Sequence, residues 1–202
     1  MSMDMKSLRK TLRQQRRRVS VFEHKKTEQR VLTQLGQSPI FKQAQHIGVY
    51  LHAFGEVHTH RIIMHSFALG KKVYLPMICN MNQTLHWVRI TQQQYLNKRF
   101  SQHPLGMKEP MQSRGKDAKQ LDLLIMPLLA CDAWGTRIGM GGGYYDRTLA
   151  TAAIKPIRMG LAHDFQYVET RLDRQLWDQP LDGLITPSKS YRFKRNLRKN
   201  SV

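Results

Sequence analysis

Residues 136–147 read T-R-I-G-M-G-G-G-Y-Y-D-R, and four glycines, Gly139, Gly141, Gly142 and Gly143, fall within five positions. Upstream, Leu121 to Leu129 is apolar and partly branched, with charge only near its start at Lys119 and Asp122, which predicts a buried strand. Downstream, Tyr145 to Ala153 places Leu149, Ala152 and Ala153 on one face of a predicted helix. A strand, a glycine-rich turn and a helix start together predict a phosphate cradle, because glycine lets backbone N–H groups approach an anion closely.

The spacing matches neither common template. No Lys-Ser/Thr follows the last glycine, as a P-loop requires, and Tyr144 stands where a dinucleotide fingerprint has its third glycine. Glycine content alone would also suit a flexible connector. Asp146 argues against that, since a carboxylate beside a polyphosphate repels it unless a divalent cation lies between. With Arg137 and Arg147 bracketing the loop, the stretch predicts a nucleoside-triphosphate site with a magnesium ion.

Outward from the loop, the pattern alternates. His46 to Leu51, Lys71 to Pro76, Leu85 to Ile90, Ile157 to Ala162 and Leu181 to Thr186 read as strands. Helices are predicted over Lys6 to Arg18, from the capping box at Ser20 to about Gly36, over Thr59 to Leu69 before Gly70, and briefly over Thr91 to Asn97. Strand–helix alternation predicts an α/β fold with a mostly parallel sheet. Residues 98–119 are polar and read as an irregular loop, of a length that often covers a site.

The 202 residues suit one domain, here residues 1–188, followed by a basic and flexible tail over 189–202. Cys79 and Cys131 form no C-x-x-C and read as reduced thiols. No run is long and apolar enough for a membrane span, and no secretory signal opens the chain, so a cytoplasmic monomer is the expectation. The net charge is +19, and 13 of those charges fall in residues 1–30 and 188–202. Such a field attracts polyanions: nucleotides, a polyglutamate tail, RNA or anionic lipid. A basic nucleic-acid-binding protein is therefore one competing reading, although no recognisable motif for that role is present, and a same-fold enzyme acting on another substrate is the other. Lys6, Arg9, Lys10, Arg13, Arg16 and Arg17 read as a solvated face of the first helix, and His58 and His60 as surface histidines.

R-I-G-M-G-G-G-Y-Y-D-R resembles the signature of the 5-formyltetrahydrofolate cyclo-ligases, also called methenyltetrahydrofolate synthetases. The resemblance continues through Leu8-Arg9, through Y-L-H-A-F-G-E-V-H-T from Tyr50 to Thr59, through G-M-K-E-P from Gly106 to Pro110, and through W-D-Q-P-L-D-G-L-I-T-P from Trp177 to Pro187. It implies a three-layer α/β domain similar to the sugar-phosphate isomerase and CoA transferase folds. The implied enzyme uses ATP and Mg²⁺ to convert 5-formyltetrahydrofolate, including polyglutamylated forms, into 5,10-methenyltetrahydrofolate, releasing ADP and phosphate. By the same resemblance Lys6, Arg9, Arg137, Ile138, Gly139, Met140, Gly141, Gly142, Gly143, Tyr144 and Tyr145 would contact ATP. Leu51 and Glu56, with Met140 to Tyr144, would contact the folate, and Asp146 and Asp182 would hold magnesium. Arg137, Asp146 and Glu56 are the expected catalytic groups. Two departures stand out. Met5 occupies a place where many members carry lysine, leaving Lys6 as the nearest cation, and Met140 and Gly142 stand where some carry Arg and Lys.

Overall fold

A computed structural model describes residues 4–111 and 114–195. In chain order the helices are α1 (Met5–Arg18), α2 (Val21–Gln37), α3 (Pro39–Gln43), α4 (His60–Ala68), α5 (Gln92–Leu96) and α6 (Tyr144–Ala150). The strands are β1 (His46–Gly48), β2 (Lys72–Cys79), β3 (Thr84–Ile90), β4 (Phe100–Gln102), β5 (Lys108–Pro110), β6 (Leu123–Met126), β7 (Ala130–Asp132), β8 (Arg137–Ile138), β9 (Ile157–Leu161), β10 (Tyr167–Val168), β11 (Gly183–Ile185) and β12 (Ser190–Arg192). The main sheet has seven strands in the order β12-β11-β9-β6-β1-β2-β3. Its five central strands are parallel, and the two edges, β3 and β12, are antiparallel to their neighbours.

Local chemistry sets the helix starts. The Asp4 carboxylate accepts from the N–H groups of Lys6 and Ser7, and Ser20 and Glu23 complete a reciprocal capping box on α2. Pro39 opens α3, where a missing N–H loses nothing. Successive residues of the buried strands feed opposite faces of the sheet. Val73, Leu75, Leu123 and Ile125 join Val31, Leu35, Phe41 and Ile62 on the side of α2, α3 and α4. Tyr74, Leu124 and Met126 join Trp87 and Leu149 on the side of α6. Helices therefore cover both faces in three layers. Truncating Leu123 or Leu124 to Ala would open a cavity on one face and cost about 2–5 kcal/mol.

Three expectations need correction. Residues 98–119 are not irregular throughout: β4 and β5 pair as an antiparallel hairpin, and the Glu109 carboxylate caps the Ile78 N–H at 2.8 Å. Three-residue polar strands are too short to show a period. The glycine turn is not entered from the parallel sheet either. After β6 the chain forms β7, turns at Asp132 to Thr136, and returns as β8, an edge strand paired with β7 in a separate three-stranded sheet ordered β10-β7-β8. Asp132, fully buried, holds that turn by accepting from the N–H groups of Trp134, Thr136 and Leu172. Finally, the tail expected from residue 189 begins as part of the fold. Ser190–Arg192 extend the sheet, Tyr191 stacks on Tyr167 with centroids 4.2 Å apart, and Phe193 packs beside it. Basic composition hid this aromatic anchoring; residues 196–202 lie outside the described residues. Among the described residues, no helix is long and apolar enough to cross a membrane.

Candidate active site

The loops that leave β1, β6 and β9 at their carboxyl ends converge, the usual location of a ligand crevice in a parallel sheet. Helix α1 lies over this end. Its apolar side, Leu8 and Leu12, packs with Leu129, Ala130, Ile138 and Leu172. Lys6, Arg9, Arg13 and Arg16 are spaced three, four and three residues apart, the interval of a single helical face. Lys6 is exposed, Arg9 and Arg13 are half-buried, and Arg16 is buried. The solvated-face reading fails for Arg16, whose position on the stripe of Arg9 and Arg13 was the one signal in the sequence.

Arg13 donates to the Met140 carbonyl at 2.9 Å, pinning the middle of the glycine turn to α1. Gly141 (φ 107°) and Gly143 (φ 66°) take left-handed backbone that a side chain would strain. Gly143 caps α6 directly, so Tyr144, expected in the loop, is the first helical residue. The helix has only seven residues, which limits what its dipole contributes. The positive field therefore comes from side chains. Arg147 donates to the Gly142 carbonyl at 2.6 Å and lies over the Tyr144 ring, 5.2 Å from its centroid. Arg137 folds beneath the turn: a Cβ at Gly139 would meet its Nη1 at 2.8 Å, and its guanidinium lies over Tyr145. Ile138 is buried in the α1 contact.

Arg137 Nη2 donates to Asp146 Oδ1 at 2.8 Å, and the Gln179 N–H donates to the same oxygen at 3.0 Å. Among the described residues Asp146 Oδ2 accepts no hydrogen bond. Asp182 is more committed: Oδ2 accepts from the Arg158 N–H at 2.8 Å, and Oδ1 lies 3.0 Å from Arg195 Nε. The Arg158 guanidinium reaches Gln179 and the Leu149 and Ala152 carbonyls, so Gln179 links the surroundings of the two aspartates. Burial lowers the Arg158 pKa to about 10, with Arg195 and Arg137 lowering it and Asp182 and Asp146 opposing. Three arginines against two aspartates leave this cluster net positive, so a metal cation arriving there needs an anionic companion. Among the described residues no group of three or more His, Cys, Asp or Glu side chains is placed to hold a metal by itself.

On the other side, the segment after β1 carries Leu51, half-buried against the main core, and Glu56. The Ala53 N–H donates to Glu56 Oε2 at 3.0 Å, and Oε1 lies 3.8 Å from Arg16 Nη1. Burial raises the Glu56 pKa to about 7, with the Ala53 N–H and Arg16 opposing. Phe54, at φ 52°, is half-exposed at the tip of this segment and approaches Gly106 of the β4–β5 hairpin. His58, expected at the surface, instead stacks between His24 and His52, with centroid separations of 4.3 and 4.1 Å. His163 meets His24 edge-on at 5.2 Å, and its Nε2 lies 3.3 Å from the Gly55 carbonyl. Burial, then neighbouring histidines, lowers the pKa of both His52 and His163 to about 4. His60 is exposed, as expected.

A triphosphate fits this arrangement on one direct observation. The Nε atoms of Arg13, Arg16 and Arg137, three arginines that touch the glycine turn, are buried without hydrogen-bond partners among the described residues, as are those of Arg9 on the same helical stripe and of Arg158 and Arg195. Unsatisfied guanidinium donors are well matched to phosphate oxygens. Magnesium fits at Asp146 through the open Oδ2, since Mg²⁺ typically takes one or two carboxylates and completes its shell with phosphates and water.

Fold and site together define a three-layer α/β domain with an arginine-lined crevice at the carboxyl end of its parallel strands. The family model described as the 5-formyltetrahydrofolate cyclo-ligase family matches residues 1–187. The chain belongs to that family. It is 33% identical over 187 residues to the 5-formyltetrahydrofolate cyclo-ligase of Escherichia coli strain K12, covering 90% of this chain and 100% of that one. It is 36% identical over 148 residues to the Haemophilus influenzae protein of the same name, covering 71% and 76%. The solution structure of Aquifex aeolicus 5,10-methenyltetrahydrofolate synthetase superposes with a TM-score of 0.79 at 28% identity, covering 98% of each chain.

Proposed function

We propose that this protein is a 5-formyltetrahydrofolate cyclo-ligase that uses ATP and Mg²⁺ to form 5,10-methenyltetrahydrofolate, releasing ADP and phosphate. The observation that carries the reading is the pairing of two unlike walls: the arginine-rimmed glycine turn, and the buried Glu56 that Arg16 connects to it. When bound, ATP would supply the phosphoryl group that converts the formyl oxygen into a leaving group before N10 closes the ring, and Mg²⁺ would offset the charge that develops.

The chain's own work is alignment and charge neutralisation, the main sources of catalysis in phosphoryl transfer. Arg9 and Arg13 present guanidinium donors toward phosphate oxygens, with Lys6 at the outer end of the stripe. Gly139 to Gly143 let the backbone approach, and Met140, tethered through its carbonyl to Arg13, sets the loop's position. Arg137 acts chiefly by holding Asp146, whose Oδ2 would bind the metal. Asp182 precedes β11 at the amino end of the parallel strands and is engaged by the Arg158 N–H and by Arg195 Nε, so Asp146 is the carboxylate this reading assigns to the metal. Glu56, with Leu51 packed beside it, would orient the folate by accepting hydrogen bonds from N–H groups of the pterin, and Tyr144 and Tyr145 would wall the site.

Substrate carrying ¹⁸O in the formyl group tests the route. The formyl oxygen bonds to phosphorus as the bond to ADP breaks; N10 then attacks the formyl carbon, loses its proton, and the C–O bond breaks. The label should appear in inorganic phosphate. Label in water with unlabelled phosphate would exclude phosphorylation at that oxygen.

A further inference from the structure

Arg16 is the most deeply buried cation at this end of the sheet, with its side chain 1% exposed. The proposed chemistry does not require it in any step. Its Nη1 donates to the Leu128 carbonyl at 3.3 Å, just past β6, and lies 3.8 Å from Glu56 Oε1, just past β1. Its Nη2 reaches Met140 Sδ at 3.5 Å, within the glycine turn. The backbone of the same residue forms the floor of the Glu56 segment: a Cβ at Gly55 would meet the Arg16 carbonyl oxygen at 2.5 Å. One side chain thus touches three segments, at Leu128, at Glu56 and at Met140. A buried cation placed so is expensive to desolvate, and in this position it opposes the equally expensive burial of a carboxylate.

We infer that Arg16 is a positioning residue that fixes the Glu56 carboxylate in register with the glycine turn, so that the folate wall and the phosphate wall are held at one separation. The inference rests on the reading of Glu56 as the folate-orienting group. Glu56 faces Arg16 from α1, Tyr50 from the end of β1 and Tyr145 from α6, and Arg16 is the one cation among these three. Charge at Glu56 is therefore tuned by Arg16 against burial. Without the guanidinium, ionising Glu56 becomes harder, and the carboxylate loses its tether to the Leu128 side of the site.

The test compares wild type with Arg16→Gln, Arg16→Lys, Glu56→Gln and the Arg16→Gln/Glu56→Gln double variant. In ligand-free protein, the Tm deficit of Arg16→Gln should be small near pH 5.5, where Glu56 is protonated, and should grow as pH rises through 7 to 8.5. It should stop growing in the Glu56→Gln background. In turnover, the acid limb of kcat/KM for 5-formyltetrahydrofolate should move upward by half a pH unit or more in Arg16→Gln. Arg16→Lys should restore at least half of the lost kcat/KM. A pH-independent Tm deficit that persists in the Glu56→Gln background would overturn the charge coupling. An equal loss of kcat/KM at every pH, with no rescue by lysine, would overturn the positioning role. If wild type does not cyclise the substrate, the functional reading fails, and the ligand-free Tm series still decides the coupling.

Discussion

Arg137 and Asp146, nine residues apart on opposite sides of the glycine turn, close it from beneath through a 2.8 Å ion pair, with Arg137 4% and Asp146 19% exposed at the side chain. Four of the turn's five residues are glycines, which offer no side chains to hold their own shape, so the pair does that instead. It also engages one carboxylate oxygen, while among the described residues the other accepts no hydrogen bond.

Asp146→Asn keeps an oxygen for the Gln179 N–H but leaves Arg137 buried without its counter-charge. Breaking a buried pair from one side costs about 3–5 kcal/mol in full burial, and the partial exposure of Asp146 brings this toward the lower end. The variant should fold with a lowered Tm, turn over at least tenfold more slowly and require more magnesium. Unchanged kinetics at limiting magnesium would remove Asp146 from the metal site.

Glu56→Gln preserves the acceptor for the Ala53 N–H and removes the charge. A hydrogen bond to a charged group is worth about 1.5–3 kcal/mol. KM for 5-formyltetrahydrofolate should therefore rise by roughly 10- to 100-fold, while KM for ATP changes little. Equal losses for both substrates would contradict the assignment of Glu56 to the folate wall.

The histidine stack makes stability depend on pH in a definite direction. His52 and His163, ordinarily near 6.5, are held to about 4 by burial and by neighbouring histidines; burial and His58 lower His24, and burial lowers His58. The unfolded chain binds protons more readily, so this contribution is intact above pH 6.5 and is lost as pH falls toward 4. Tm should drop across that window, and His58→Asn, which removes the middle ring, should flatten the drop. An identical slope in the variant would show that other groups drive acid unfolding.

Removal of residues 189–202 takes away β12, the Tyr191–Tyr167 stack and the Arg195 contact with Asp182. The truncated protein should lose several degrees of Tm, and Tyr191→Ala alone about 1–3 kcal/mol, the scale of a buried aromatic truncation reduced by partial exposure. A truncation with wild-type stability would show that the edge strand contributes nothing to the fold.

Much of this architecture was legible in the chain. The buried runs of β1, β2, β6 and β9, the capping box at Ser20, and the strand–helix alternation are strong local signals, and together they dictate a parallel sheet. The glycine turn and its flanking charges marked one wall of the site. What was not legible depends on distance along the chain. Arg16 became distinct from its exposed neighbours only when α1 landed on Leu128 and Glu56, 112 and 40 positions away. His24, His52, His58 and His163 are scattered in sequence and meet only in the fold. β8, with two residues, and β4 and β5, with three each, are shorter than any period that could reveal them. Composition misled at β12, where basic residues surround two aromatics that anchor the edge.

The central claim is tested most directly by the absorbance of a mixture of purified protein, ATP, Mg²⁺ and 5-formyltetrahydrofolate, with ATP omitted in the control. The near-ultraviolet band of the methenyl product should grow only when ATP is present. No such band from folded protein that binds ATP would contradict that claim.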